Sequence, residues 1–271
     1  MHNHKLNSYI GVMILFGWYA GGCAKTIEMR TFPTTKIAVN QLQSGAVDAV
    51  VGDFPVIAYE AREAPGKLQI GGLQFQKATI GIGVSKDSKA LEAVLTDALR
   101  QIMEDKTYTN VLISWGLIGA EVESPKTPAN LPFAEEVPEL KDGKLKVGLE
   151  LNYPPMEFFD ELKKEAGVDV ELAKALAKAL RVEVEFVDMP FDALIGAVET
   201  RKVDVIISSM AITDERAQRI DFVPYLSLGS GILVPKGNPN TIRTVKDLCG
   251  YSVGVQEATS QIAILQAEKC K

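Results

Sequence analysis

Two stretches of this chain run through the same succession of parts, and that repetition limits what it can fold into. Ile27 to Pro33 alternates like a strand and ends in Phe-Pro; a helical pattern through Ile37, Ala38 and Leu42 follows, and Val47-Asp48-Ala-Val-Val then reads as a second strand. Val182 to Pro190 ends in Met-Pro and leads into a helical pattern through Ala193, Leu194, Ala197 and Val198, then a strand that opens Val203-Asp204-Val-Ile-Ile. Lys146-Val-Gly-Leu-Glu-Leu-Asn and Ser252-Val-Gly-Val-Gln-Glu-Ala form another matching pair, each a strand start running into a loop and a helix. The helix after the first carries Leu172, Ala175, Leu176, Ala179 and Leu180 on one face. Strands alternating with helices predict an α/β fold with parallel sheets, and the doubling predicts two similar lobes. Open α/β sheets bind ligands beyond the carboxyl ends of their strands, so two such lobes facing each other enclose a cleft there.

Composition narrows the function. The chain has 271 residues, 46% of them hydrophobic, which is enough to bury one or two cores. A formal net charge of -6 without a basic stripe argues against nucleic acid as a partner. The two histidines, His2 and His4, lie in the N-terminal tail, so histidine base chemistry and most zinc sites have no ligands in the body. No cofactor and no metal are expected. Residues 1–23 read as a leader: a weakly basic start around Lys5, the apolar run Tyr9 to Ala20, then Gly21, Gly22 and Cys23. The run is short for a bilayer span. It resembles a secretory signal with a lipoprotein-type cysteine, which makes Cys23 a lipidation candidate and export to the periplasm or cell surface the expected localisation. Ala20 stands where that pattern usually has leucine, and an unrelated leader is the alternative. Cys249 and Cys270 flank one strand-and-helix segment and are a disulfide candidate in an oxidising compartment, or else two buried thiols. Gly119 to Leu140 holds Pro125, Pro128, Pro132 and Pro138 among acidic and small residues and reads as a linker.

Four stretches together resemble the polar amino-acid-binding proteins of ABC importers, the family 3 extracellular solute-binding proteins. They are Lys146-Val-Gly-Leu-Glu-Leu-Asn-Tyr-Pro-Pro-Met-Glu-Phe, Val168-Asp-Val-Glu-Leu-Ala-Lys-Ala-Leu, Ser208-Ser-Met-Ala-Ile-Thr-Asp-Glu-Arg and Asp221-Phe-Val-Pro-Tyr. The resemblance implies a two-lobed periplasmic-binding-protein clamshell, a small polar amino acid as ligand, importer transmembrane subunits as partners, a monomer, and membrane contact only through a lipid anchor. It also implies an unusual order. Family members begin with the strand that starts here at Lys146, pass through the segment ending at Lys271, and continue into what is here Thr26 to Gly119. The chain thus looks circularly permuted: lobe 2 is expected from 24–84 and 236–271, lobe 1 from 85–118 and 142–235, and residues 119–141 join the family's usual ends. A piece of a tandem array is the alternative, since Cys23-Ala-Lys looks like the continuation of Lys269-Cys270, and a chain permuted on purpose is another. Thr79 to Ser85 and Gly229 to Pro235 look like the crossings between lobes, which predicts a hinge. A helix through Leu91, Val94, Leu95, Ala98, Leu99, Ile102 and Met103 should pack on the lobe holding Arg216.

The resemblance also assigns a ligand site. Arg216 matches the arginine that grips the α-carboxylate, a task that suits a planar, always ionised guanidinium; alone, it would read as a surface arginine in a charged run. Asp53 matches the partner of the ligand ammonium and stands in its lobe where Ser209 stands in the other; its bland role is a helix N-cap. Ala211 offers its backbone N–H where relatives often have Ser or Thr. Thr259 and Ser260 open the helix expected to end near Lys271, and their hydroxyls and N–H groups suit a carboxylate. Tyr153 and Phe191 match aromatic walls, which are otherwise plain core, and Glu150 matches an acidic position facing the ligand side chain. A dehydratase- or lyase-like enzyme on the same scaffold is the first rival, with Asp53 or Glu150 as acid or base. It lacks a nucleophile motif or a second pair of carboxylates in the sequence. A ligand-sensing module is the second rival.

Overall fold

The computed structural model describes residues 25–129 and 131–270. The leader with His2, His4 and Cys23 therefore lies outside the described residues. The strands and helices run in the order β1 (Glu28–Phe32), α1 (Thr35–Gln43), β2 (Ala49–Asp53), α2 (Phe54–Glu63), β3 (Leu68–Ile70), β4 (Phe75–Ser85), α3 (Lys89–Glu104), α4 (Thr107–Ser114), β5 (Lys144–Leu149), β6 (Asn152–Tyr153), β7 (Glu157–Phe159), β8 (Glu165–Ala166), α5 (Val168–Leu180), β9 (Glu183–Asp188), α6 (Leu194–Glu199), β10 (Val205–Ile206), α7 (Asp214–Arg219), β11 (Ile220–Pro235), β12 (Ser252–Gln256) and α8 (Gln261–Ala267).

A single sheet runs through the molecule in the order β1-β12-β2-β11-β4-β10-β5-β9, with β3 added on β11. Its two ends are parallel trios, β1-β12-β2 and β10-β5-β9, and the long antiparallel pair β11 and β4 joins them. The trios are related as the sequence correspondence expects: β12 and β5 lie at their centres. The repeated Val-Asp does the same work in both. Asp48 accepts the backbone N–H of Ser252 at 2.9 Å, and Asp204 accepts that of Lys146 at 2.8 Å, each locking the start of the central strand to its neighbour.

Helices cover both faces of each trio, as parallel strands require. In lobe 2, Val50 and Leu233 pack with Ala38, Val39 and Leu42 of α1 and Ile57 of α2; Ala49, Val51, Val253 and Val255 pack on the opposite face with Leu265 of α8. In lobe 1, Leu145 and Val147 meet Leu95 and Leu99 of α3 and Leu172 and Leu176 of α5, while Leu194 and Val198 of α6 cover Ile206 from the other side. Met103 is partly buried against the same core. Leu95 is fully buried, and truncating such a side chain to alanine costs about 3 kcal/mol.

Both crossing strands belong to both lobes. β11 pairs with β4 through Ile220 to Ser230 and with β2 through Ser230 to Leu233. Lobe boundaries drawn at 84/85 and 235/236 are therefore displaced: the division falls inside β4 and β11, where the ladder slips register between Pro224 and Leu226 and again between Leu228 and Ser230. Such bulges bend a strand locally. The connection across 119–141 is no free tether. Ala120, Val137 and Leu140 are buried in the lobe 1 core, two short 3-10 turns hold the latter two, and Ser88 donates to Glu139 at 2.6 Å. The helix after Ser260 is shorter than expected, ending at Ala267, and Cys249 and Cys270 form a disulfide with their Cα atoms 5.6 Å apart. No helix among the described residues is long and apolar enough to cross a membrane.

Candidate functional site

The carboxyl ends of the two trios face each other, and a small polar cavity lies between them. It is lined by Asp53, Gln256, Thr259, Ser260 and Gln261 of lobe 2 and by Glu150, Tyr153, Glu157, Phe191, Ser209, Ala211 and Arg216 of lobe 1. All nine ligand-site residues expected from the sequence are among them. Its interior is about 20 Å³, room for a water molecule but not for an amino acid. Protein groups span the gap directly. Tyr153 donates its hydroxyl to Asp53 Oδ2 at 2.9 Å, Gln256 Nε2 donates to Glu150 Oε2 at 2.7 Å, and Arg216 Nη2 donates to the Ala258 carbonyl at 2.7 Å.

Arg216 sits in α7, whose first turn is capped by the Thr213 hydroxyl accepting the Arg216 N–H at 3.2 Å. Its side chain points inward, where the residue is only 8% exposed. Its guanidinium donates to the backbone carbonyls of Ala211 (2.6 Å) and Ala258, and its carbon lies 5.5 Å from the centre of the Phe191 ring. No carboxylate of the described residues lies within ion-pairing distance of it. Burial pulls its pKa down, against the opposing pull of Asp53 and Glu215. It is a buried cation held by two carbonyl dipoles and the face of Phe191, with no carboxylate beside it.

Asp53 occupies the N-cap position of α2, yet its side chain makes no capping bond. The carboxylate turns into the cleft and accepts from Tyr153 and from Gln261 Nε2 at 2.8 Å. Burial raises its pKa to about 6, in spite of those two hydrogen bonds and the charge of Arg216. Glu150, 6% exposed, is pushed to about 7, chiefly by burial and further by Asp188 and Asp192, with the Gln256 bond opposing.

The remaining expected residues have more local engagements. The Ser209 N–H and hydroxyl both donate to Asp169 Oδ2, at 2.7 and 3.0 Å, so the hydroxyl is already committed. Ala211 contributes a carbonyl that accepts from Arg216, rather than a side chain. Thr259 donates its hydroxyl to the Gln256 carbonyl at 2.8 Å, and Ser260, at the N-cap of the seven-residue α8, makes no side-chain cap bond. Tyr153 is a wall and also a donor.

Three cleft residues escape the sequence reading, Gln256, Gln261 and Glu157, and so does Asp169 beneath them. Gln256 was within reach, because it holds in Ser252-Val-Gly-Val-Gln the place that Glu150 holds in Lys146-Val-Gly-Leu-Glu, and the two equivalent residues bond each other across the cleft. Glu157 and Asp169 are a second carboxyl pair, which the sequence does not display. Among the described residues no cluster of three or more histidine, cysteine, aspartate or glutamate side chains is arranged to hold a metal ion.

Fold and cleft define a two-lobed α/β clamshell whose polar groups converge between the lobes. Residues 145–266 match the bacterial extracellular solute-binding proteins, family 3. Similar relatives include the L-cystine-binding protein TcyJ of Escherichia coli K12, 41% identical over 119 residues that make up 44% of this chain and 45% of the relative. The histidine-binding periplasmic protein of Salmonella typhimurium is 36% identical over 44% of this chain and 45% of its own, and the arginine-binding extracellular protein ArtP of Bacillus subtilis 39% over 47% and 48%. The chain thus spans about half the length of the curated relatives it matches. Among solved structures, the arginine-bound domain 1 of TmArgBP is 40% identical with a TM-score of 0.31, over 38% of this chain and 90% of that one. An ancestral cationic amino acid solute-binding protein is 42% identical with a TM-score of 0.31, over 33% and 38%.

Proposed function

We propose that this protein is an extracytoplasmic binding protein that captures one polar amino acid between its lobes and delivers it unchanged to the membrane subunits of an ABC importer. The observation that carries this reading is the pair Arg216 and Asp53. One lobe offers a buried guanidinium with no carboxylate, the other a carboxyl group raised by burial, and both line one cavity. The carboxylate and ammonium of an amino acid complement them in charge and offset the desolvation each now bears. In this reading the ligand side chain runs between Tyr153 and Phe191 towards Glu150 and Gln256, and Ser209, Ala211, Thr259 and Ser260 complete the walls. Relatives named for cystine, histidine and arginine support an amino acid as the ligand.

The proposal extends to the chain's history. Its segments stand in circularly permuted order, with residues 119–141 joining the family's usual ends on lobe 1. The parallel pairing of β1 beside β12, although they lie at opposite ends of the described chain, supports this. The exported protein is a monomer, tethered through Cys23 if it is tethered at all.

A lyase- or dehydratase-like enzyme is the second reading, favoured by Glu150, whose pKa near 7 suits proton transfer. A thermal-shift screen against the amino acids tests the proposal, because a ligand of the folded state raises its melting temperature. A selective rise, with the ligand recovered chemically intact after incubation, supports the binding protein. Conversion of the ligand supports the enzyme. No rise from a cooperatively melting protein refutes the proposal.

A further inference from the structure

Beneath the cleft two carboxyl groups are drawn together: adjacent Ser208 and Ser209 donate to Glu157 and Asp169 respectively, and the Asp169 N–H donates to the carbonyl of Met156, next to Glu157, at 2.9 Å. Glu157 of β7 and Asp169 in the first turn of α5 are each 1% exposed. Asp169 is richly served by donors: Ser209 N–H and hydroxyl on Oδ2, and the Tyr225 hydroxyl on Oδ1 at 2.8 Å. Glu157 is not. Its Oε1 accepts the Ser208 hydroxyl at 2.6 Å, whereas its buried Oε2 has no N–H or O–H donor. The charged and titratable groups that face the pair are Glu150 beyond β5, Tyr153 of β6, Asp53 of β2 and Tyr225 of β11, all acidic or neutral. Two carboxylates there would repel at short range in a low dielectric, and Glu157 Oε2 would be a buried charge without a partner. A proton on that oxygen removes both costs, because it turns an orphaned acceptor into a donor to Asp169.

The pair is connected to the cleft. Ser209 has a φ of 46°, in the left-handed region that serine rarely adopts, and the two bonds to Asp169 hold it there. The residues after this turn do the next work: the Met210 carbonyl accepts the Gly81 N–H of β4 at 3.0 Å, and the Ala211 carbonyl accepts Arg216 Nη1. On the reading proposed above, we infer that Asp169 is a positioning residue for Arg216, and that it acts as one member of a proton-sharing pair in which Glu157 donates to Asp169.

Burial lifts Glu157 well above the ordinary glutamate range, and Asp169 adds to the lift. A group raised in the folded state stabilises that state below its unfolded pKa and loses the contribution as pH rises through the folded value. The alkaline side is therefore where the pair fails.

The test uses the full chain, with free arginine as the binding probe, from about pH 5 to about pH 10. In the wild type, the melting temperature falls on the alkaline side. Glu157→Gln keeps an N–H for Asp169 but has no proton to lose, so its melting profile is flat over that limb, and it melts above Glu157→Leu, which keeps neutrality and loses the donor. Asp169→Asn weakens arginine binding about tenfold or more at neutral pH, the scale of losing a charge-assisted bond network. NMR titration of the Glu157 side-chain carboxyl carbon shows it protonated through neutral pH. An ordinary carboxylate titration, or a wild-type alkaline fall in melting temperature that persists in Glu157→Gln, overturns the pair. Full affinity in a folded Asp169→Asn overturns the positioning role. Melting profiles and NMR need no ligand, so failure of arginine and every other amino acid to bind the wild type refutes the functional reading while the pair is judged separately. The same two measurements decide the pair if Asp169→Asn does not fold.

Discussion

Replacing Arg216 by methionine separates a binding arginine from a structural one. Methionine is similar in length, apolar and flexible, so it fills the space and takes away the charge. For the fold, the change removes two charge-assisted bonds, to Ala211 and Ala258, each worth about 1.5 to 3 kcal/mol. Against this stands relief from keeping an unpaired guanidinium 8% exposed, a desolvation cost of several kcal/mol. The two nearly cancel, so the net change in folding stability is within about 2 kcal/mol, and the melting temperature moves by no more than about 6 °C. For binding nothing cancels. On the proposed reading the ligand carboxylate loses both of its bonds to the guanidinium and is buried without a partner, which at about 1.5 to 3 kcal/mol per bond weakens affinity roughly 100- to 10,000-fold. Calorimetric titration with the ligand found in the screen, beside a melting curve of each protein, measures both numbers. Affinity within about twofold of wild type, or a melting temperature that collapses by far more than the cancellation allows, refutes the reasoning.

Other expectations follow from the same geometry. Asp53 must be ionised to meet an ammonium and has a pKa of about 6, so affinity rises with pH through that value; Asp53→Asn weakens binding and flattens the profile, as calorimetry across the pH range will record. Gln256→Glu sets a second carboxylate against Glu150 across the cleft, which disfavours the closed arrangement and enlarges the radius of gyration measured by X-ray scattering. Gly167 has a φ of 117°, and an added Cβ would lie 2.3 Å from the Met156 carbonyl oxygen, so Gly167→Ala destabilises by about 3 kcal/mol in chemical denaturation. Cys270→Ser opens a disulfide spanning a sequence separation of 21 and costs roughly 3 kcal/mol by the same assay.

Much of the architecture was legible in the sequence because it is written twice. The Val-Asp repeats at 47 and 203 and the strand starts at 146 and 252 reproduce the two trios, down to the equivalent bonds of Asp48 and Asp204. Arg216 and Asp53, on different lobes, lie in one cavity. What escaped depends on contacts without a local signature. Glu157 meets Asp169 because Gly167 lets the start of α5 close against Pro155 and Met156, where Val168 and Asp169 donate to their carbonyls at 3.1 and 2.9 Å. The proline-rich stretch reads as linker because its few apolar residues have no period; Val137 and Leu140 are buried one at a time. Lobe boundaries were misplaced because a long strand such as β11 carries no mark where its partner changes.

The continuous sheet sets how readily the cleft opens. β4 and β11 run through both lobes and carry bulges, so parting the lobes must break at least the three cross-cleft bonds of Tyr153, Gln256 and Arg216, and it must also separate the Tyr59 and Phe158 rings and pull Val56 from the lobe 1 core. At about 1 kcal/mol net each, the bonds alone cost on the order of 3 kcal/mol, which keeps the parted form at or below roughly one molecule in a hundred. A newcomer to the cleft competes with the protein's own side chains for a rarely available form, and its apparent affinity is lowered by about that same factor.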